Sequence, residues 1–360
     1  MQIYLDSMLS EEPTQVTSRS FRGHVPERGG ADLAAGVVRP LHSVLPKSKE
    51  KPAARIGAML LSLRKGRRND RIIAARELGD LAISENLKMP EAVVPLCVSL
   101  SEDKDPVVRQ EAAWSLWKLG DPRAHASLIK ALLHDSSARV RERAARALGL
   151  LGAKEALPAM LDLLTLERHI PARLRAGIAC AMGFFAGETV LKHIEEASRD
   201  AEPYVRYEAV RSLGRFLVGF SQDISLRVFQ TLRNYLKPGN EPCATIRQAA
   251  IKALRFAAAD EAGQAVARSL AKDPDAAVRE SAADALLLWN SAQSEGALID
   301  ALSDDHWPVR KAAARTLARF IKRHGVYDSA RISESLRRME RMLPSHSYEW
   351  RLAADAFASL

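Results

Sequence analysis

From residue 53 onward the chain repeats one pattern of apolar and polar positions. In the clearest copy, Asp105-Pro106-Val107-Val108-Arg109 is followed by Ala112-Ala113, then Leu116 and Leu119-Gly120. Counted from the arginine, apolar residues fall at +3, +4, +7 and often +10 or +11, one face of a helix with 3.6 residues per turn. The same register recurs from Arg71, Arg141, Arg175, Arg206, Arg247, Arg279 and Arg310, with small or aliphatic pairs at +3 and +4 each time, such as Ala144-Ala145, Ala209-Val210 and Ala282-Ala283. Small residues there allow neighbouring helices to approach to the short end of the usual ~8–10 Å. A degenerate ninth copy is expected at 350–360.

A second amphipathic segment precedes each copy, for example 91–101, 125–134, 156–166, 189–197, 224–236, 263–271, 295–302 and 332–343. Pro106, Pro203, Pro274 and Pro308 often stand between the two segments. Proline suits a first helical turn and forbids continuation of a helix before it. The unit is therefore a helix hairpin of about 32 residues. One hairpin cannot cover its own apolar stripe, so the units must stack.

The pattern Asp-Pro-x-Val-Arg-x-x-Ala-Ala-x-x-Leu-x-x-Leu-Gly at 105–120, with Ala156-Leu157-Pro158-Ala159-Met160-Leu161 as a first-helix motif, resembles the HEAT-repeat family, and within it the short bacterial HEAT-like repeats of the phycobilisome-lyase type. The resemblance covers about 53–343. It implies an all-α fold, a right-handed α-solenoid of about eight hairpins over 53–360. It also implies that the second helix of each hairpin lines a concave surface. The stretch Lys237-Pro238-Gly239-Asn240-Glu241-Pro242 departs from the pattern and lengthens one loop.

Residues 1–52 differ. They hold Pro13, Pro26, Pro40, Pro46 and Pro52, the pair Gly29-Gly30 and no sustained period, and read as a mostly disordered tail. Ile3, Tyr4, Leu5, Met8 and Leu9 give that tail a short apolar anchor. No secretory apolar core stands near the start, and the early acids Asp6, Glu11 and Glu12 argue against a transit peptide. No apolar run approaches the ~18 residues of a membrane span. Cys97, Cys180 and Cys243 are far apart with no CxxC, which fits a reducing, cytoplasmic setting.

Familiar catalytic patterns are missing. There is no GxxxxGK[ST], GxGxxG after a strand, GxSxG or HExxH, and the nine histidines include no pair four apart on one helix. One HEAT-type enzyme family, deoxyhypusine hydroxylase, binds iron through His-Glu dipeptides, and this chain has none. The expectation is a non-catalytic protein with no cofactor and no metal.

The recurring arginine is expected to tie its helix start to a nearby acid or carbonyl, with Asp105, Asp273 and Asp304 or Asp305 as candidate partners in three units. Function is sought on the opposite side of the second helix, at +5 and +9, about 140–180° from the apolar centre. The +5 series reads Arg76, Trp114, Arg146, Cys180, Arg211, Lys252, Asp284, Arg315; the +9 series reads Asp80, Lys118, Leu150, Phe184, Arg215, Phe256, Leu288, Arg319. The candidate partner-binding residues on this concave face are Arg76, Trp114, Lys118, Arg146, Arg211, Arg215, Lys252, Phe256, Arg315 and Arg319. Arginine interleaved with aromatic anchors is what interface hot spots use. Two basic clusters lie at the ends, Arg64, Lys65, Arg67 and Arg68, and Arg337, Arg338 and Arg341. The chain carries 53 Lys+Arg against 44 Asp+Glu, a net charge of +9.

These observations predict a scaffold or adaptor that binds an acidic protein partner through a basic, aromatic-dotted concave face. A bilin lyase or pigment-protein chaperone subunit is an alternative that the resemblance implies, and a nucleic-acid binder is one that the basic clusters suggest. Membrane insertion is not expected. The apolar end 352–360 suggests self-association. Arg146 is expected to be exposed, so that Arg146→Ala costs little, whereas Leu148→Ala or Leu213→Ala costs ~2–5 kcal/mol.

Overall fold

The computed structural model describes residues 52–166, 170–257 and 260–342. They form helices joined by short turns, with no strand among the described residues. In chain order the hairpins are α1 (Pro52–Lys65) with α2 (Arg68–Ser84), α3 (Pro90–Glu102) with α4 (Pro106–Leu119), α5 (His125–His134) with α6 (Ala138–Leu151), and α7 (Leu157–Leu166) with α8 (Ala172–Met182). Then come α9 (Glu188–Ala197) with α10 (Pro203–Leu213), α11 (Gln222–Tyr235) with α12 (Ala244–Leu254), α13 (Asp260–Lys272) with α14 (Ala276–Ala285), and α15 (Ala292–Ala301) with α16 (Trp307–His324). A last first-type helix, α17, spans Ser329–Met342. The sequence pattern placed the first helices within a few residues, and only α1 went unnamed by it. The expected tail before Pro52, the ninth copy and the apolar end 352–360 lie outside the described residues.

Local chemistry sets the helix boundaries. Asp105 caps α4 by accepting the Val107 N–H at 2.8 Å, with Pro106 in the first turn. Asp275 does the same for α14, accepting from Ala277 and Val278. Helix α4 ends where Gly120 enters the left-handed region at φ 68°, which costs glycine nothing.

Each helix packs against its hairpin partner, and the second helices α2, α4, α6, α8, α10, α12, α14 and α16 pack in succession against one another. This stack of hairpins is an α-solenoid. The residues at +3, +4 and +7 of all eight second helices are no more than 3 % exposed. They form the spine that the periodicity called for. Leu148 and Leu213 are both fully buried within it.

Where successive second helices cross, a glycine recurs at +8. A Cβ on Gly79 would lie 2.5 Å from Ser115 Oγ, on Gly149 2.5 Å from Ala181 Cα, on Gly183 2.7 Å from Ser212 Oγ, and on Gly214 2.9 Å from Ala253 Cβ. Each partner is the +6 residue of the next unit. This glycine-on-small-residue crossing brings the second helices close together and lets Ser115 Oγ donate to the Ala75 carbonyl at 2.6 Å.

The recurring arginine is structural, as expected, but its carboxylate partner is in the next unit. Arg71 grips Asp103 (2.7 and 3.1 Å), Arg109 grips Asp135 (2.7 and 2.9 Å) and Arg175 grips Asp200 (2.7 and 2.8 Å). Arg206 grips Glu241 (2.8 and 3.0 Å), Arg247 grips Asp273 (2.8 and 2.7 Å) and Arg279 grips Asp304 (2.8 and 2.9 Å). The remaining nitrogen, Nη1, turns back to its own unit. Arg109 donates to the Asp103 carbonyl, Arg279 to the Asp273 carbonyl and Arg310 to the Asp304 carbonyl. Asp273 and Asp304 therefore serve two arginines each, one through the carboxylate and one through the main chain. Asp105, expected to hold Arg109, instead caps α4 and pairs with Arg68.

The carboxylate stands six residues before its own unit's arginine. It also accepts a backbone N–H two residues on, as in Asp103 from Asp105, Asp200 from Glu202 and Asp304 from His306. Such a side chain fixes its own turn and the preceding helix at once. Bidentate guanidinium–carboxylate pairing adds directional specificity to that tie.

Candidate interaction face

Several +5 and +9 side chains of neighbouring second helices meet in ion pairs, and they are not a row of free cations. Near the start, Arg76 pairs with Glu111 at 3.2 Å and Lys118 with Asp80 at 2.5 Å. Near the end, Arg315 pairs with Asp284 at 2.6 Å. Lys252 and Arg319 are exposed. Each pair joins neighbouring units, so the acids on this wall interleave with the bases.

Aromatic rings punctuate the wall. Trp114 is half-buried, 4.4 Å from Trp117 by ring centroids, with the Arg143 guanidinium 4.6 Å above it. Arg215 lies 4.0 Å over Phe184, Arg211 5.6 Å over Tyr207, and Arg255 5.5 Å over Phe256. Guanidinium on an aromatic face is attractive and leaves an amphipathic surface. Burial pushes the Arg143 guanidinium down from its ordinary value.

The middle of the wall is sealed. The side chain of Arg146 is only 14 % exposed, not free as its position suggested. It donates to Glu142 at 3.1 Å on its own helix, and to Tyr204 Oη at 2.7 Å and Glu208 at 2.9 Å on α10. Tyr204 donates to Glu142 at 3.1 Å, and Arg173 reaches the other Glu142 oxygen at 3.0 Å. The cluster spans from the third hairpin to the fifth. It passes over α8, which is Ala176-Gly177 and Cys180 at this surface, all buried. A Cβ on Gly177 would lie 2.9 Å from Glu142 Cγ and 3.1 Å from Glu142 Cα. Small residues on α8 thus make the furrow in which side chains of α6 and α10 meet.

Burial pushes the Glu208 carboxyl up, but Arg146, Arg211 and Arg215 more than offset this and hold it below the usual glutamate range. Burial would lower Arg146 as well, yet the surrounding acids, Glu208 foremost, raise it above its ordinary value. Burial pushes the Tyr204 phenol and the Cys180 thiol up, so both stay protonated near neutral pH. The cluster is a closed ion network. Its glutamates and tyrosine fall at +1, +2 and −2, outside the +5 and +9 positions, so the sequence pattern carries no sign of them.

The end clusters lie elsewhere. Arg64, Lys65 and Arg67 are exposed around the α1–α2 turn, and Arg68 pairs with Asp105. Arg337 and Arg338 lie on α17, where Arg338 pairs with Glu334 at 3.7 Å. Arg341 falls within α17, but its side chain lies outside the described residues. No group of three or more His, Cys, Asp or Glu is placed to hold a metal ion among the described residues. No helix there is long and apolar enough to cross a membrane.

The HEAT-repeat family model matches residues 57–143, 125–214, 192–287 and 264–356, which together run through nearly all of the stack. The chain belongs to the HEAT-repeat family. No curated protein sequence is significantly similar to this HEAT-repeat chain. Among solved structures, it is similar to the complex of CpcE and CpcF of phycocyanin lyase from Nostoc sp. PCC7120, with 22% identity and a TM-score of 0.46 over 72% of this chain and 97% of that one. An engineered protein matches with 21% identity and a TM-score of 0.45, covering 84% and 88% of the two chains. Human deoxyhypusine hydroxylase in complex with glycerol matches with 20% identity and a TM-score of 0.33, covering 75% and 96%.

Proposed function

We propose that this HEAT-repeat protein is a non-catalytic scaffold or adaptor that holds a protein partner against the wall of second helices. The observation that supports it most is the set of rings under guanidinium groups at Trp114, Phe184, Tyr207 and Phe256, contributed by the second, fourth, fifth and sixth units. A half-buried ring with an arginine above it presents large contact area at low entropic cost, the chemistry of interface anchors. The second helices pack against one another more extensively than the first helices do, which favours a curve with this wall inside. The partner this face suits is acidic. Exposed Lys252 and Arg319, beyond the sealed centre, would meet the partner's carboxylates.

The test is affinity capture with the tagged full chain against Trp114→Ala and against Arg315→Glu with Arg319→Glu. Both leave the spine intact. The reading expects one or more proteins held by the parent and lost from both variants while the helical circular dichroism is unchanged. Equal capture by all three chains contradicts it.

A further inference from the structure

The long loop between α11 and α12 keeps the arginine ladder in register. Glu241, six residues before Arg247, still receives Arg206, and its carbonyl still accepts from Arg247 at 3.0 Å. The extra residues stand before it, on the side of the first helices. They fold back on the end of α11, with Asn240 N–H to the Lys237 carbonyl at 2.9 Å and Asn240 Nδ2 to the Asn234 carbonyl at 3.2 Å. This places Lys237 and Pro238 as one wall of a cavity of about 350 Å³ between α11 and α13. The buried Leu236 and Ala265 contribute an apolar lining.

Four exposed cations surround that lining. Arg233 stands in the last turn of α11 and Lys237 two residues past its end, and Arg268 and Lys272 are one turn apart on α13. None of the four is paired with a carboxylate among the described residues. Asp273, the acid in the lining, is held by Arg247. Elsewhere in the fold, on the ladder and on the second-helix wall, cations meet acids. Here four like charges converge on an apolar hollow, an arrangement that repels itself and attracts an anion.

We propose that this cavity binds an acidic peptide segment of a partner protein, with glutamates or aspartates along the two cation rows and an aliphatic side chain over Leu236 and Ala265. The rows fit a chain better than a single compact anion. The α13 cations, one turn apart on a helix, are ~6 Å apart at Cβ. In an extended segment alternate side chains recur every ~6.6 Å, close to the row spacing. The site is on the first-helix side, separate from the second-helix wall, and stands or falls independently of the scaffold reading.

The test titrates the full chain into the fluorescein-labelled peptide Glu-Glu-Leu-Glu-Glu-Leu-Glu-Glu and follows anisotropy. The glutamine version of the peptide is the control. Saturable binding of the glutamate peptide alone is expected, weakening with salt as exposed charges are screened. Arg268→Glu with Lys272→Glu is expected to weaken it at least about tenfold. Lys322→Glu with Arg323→Glu, the same charge change on α16, is expected to leave it unchanged. Arg233→Ala with Lys237→Ala gives an independent variant should the charge reversal not fold. No binding by the parent, or equal losses in the α13 and α16 variants, overturns the proposal. So does binding of pyrophosphate or a single-stranded oligonucleotide that is lost in the α13 variant while the peptide does not bind.

Discussion

Arg146 on α6 donates to Glu208 on α10 at 2.9 Å, past the whole of α8, so the third and fifth hairpins touch directly. In a simple solenoid each unit contacts only its neighbours. This bridge adds a link between second neighbours and stiffens the wall where it is sealed. Arg146→Ala leaves Glu142 and Glu208 buried without their shared cation, which costs about 3–5 kcal/mol. That is the opposite of what an exposed position would give. Urea unfolding of the variant checks it; a loss within about 0.5 kcal/mol of zero contradicts the bridge.

The acid side of stability follows from the same contacts. Burial pushes Asp103, Asp200 and Asp304 up, but the bidentate arginine and the backbone N–H on each outweigh it and lower all three. Glu208 is lowered as well. A carboxyl lowered in the folded state stabilises fully above its unfolded value, about 3.9 for Asp and about 4.3 for Glu, and that contribution fades as pH falls through the folded value. The urea midpoint is expected to hold from neutral pH to about 5 and to drop below about 4. In Arg146→Ala the drop begins at higher pH, because Glu208 has lost its main cation. A midpoint that rises from pH 6 to pH 4 contradicts this assignment.

Not all ion pairs here are equal. Arg247 and Asp273 are almost wholly buried, at 3 % and 1 % side-chain exposure, whereas Arg315 and Asp284 are near 45 %. Arg247→Ala is expected to cost about 3–5 kcal/mol, and Arg315→Ala about 0–1 kcal/mol. Arg247→Lys recovers only part of the loss, since an ammonium cannot make the two parallel bonds. Thermal denaturation of the three variants ranks them.

Glycine substitutions test the crossing of second helices. Gly149→Ala would place a Cβ 2.5 Å from the Ala181 backbone, which must move, at about 1–3 kcal/mol. Gly57 on α1 has nothing within 4 Å of a new Cβ, so Gly57→Ala is expected to stabilise by about 0.4–1 kcal/mol. Equal effects at the two sites would mean that the crossing is not tight.

The spine was legible because one face of a helix is written in a fixed period, and Ala112, Ala113, Leu116 and their counterparts repeat it eight times. The ladder was half legible. The arginines were plain, but the grip of Arg109 on Asp135 crosses 26 residues and depends on how hairpins stack, which no local pattern encodes. The cations at +5 and +9 were plain in the sequence, yet their pairing was not, because Asp80, Glu111 and Asp284 meet them from neighbouring units. The sealed centre had a signal that only the structure explains. Where the third and fifth units carry Glu142-Arg143 and Tyr207-Glu208, the fourth carries Ala176-Gly177, the space into which the others reach.

The central claim is that in six units, those of Arg71, Arg109, Arg175, Arg206, Arg247 and Arg279, the recurring arginine ties its hairpin to the next one. A double-mutant cycle on Arg109 and Asp135, read by urea unfolding and set beside a cycle on Arg109 and Asp105, measures it directly. The structure predicts a coupling of about 2 kcal/mol or more for Arg109 with Asp135 and clearly less with Asp105. Negligible coupling to Asp135, or a larger one to Asp105, would contradict it.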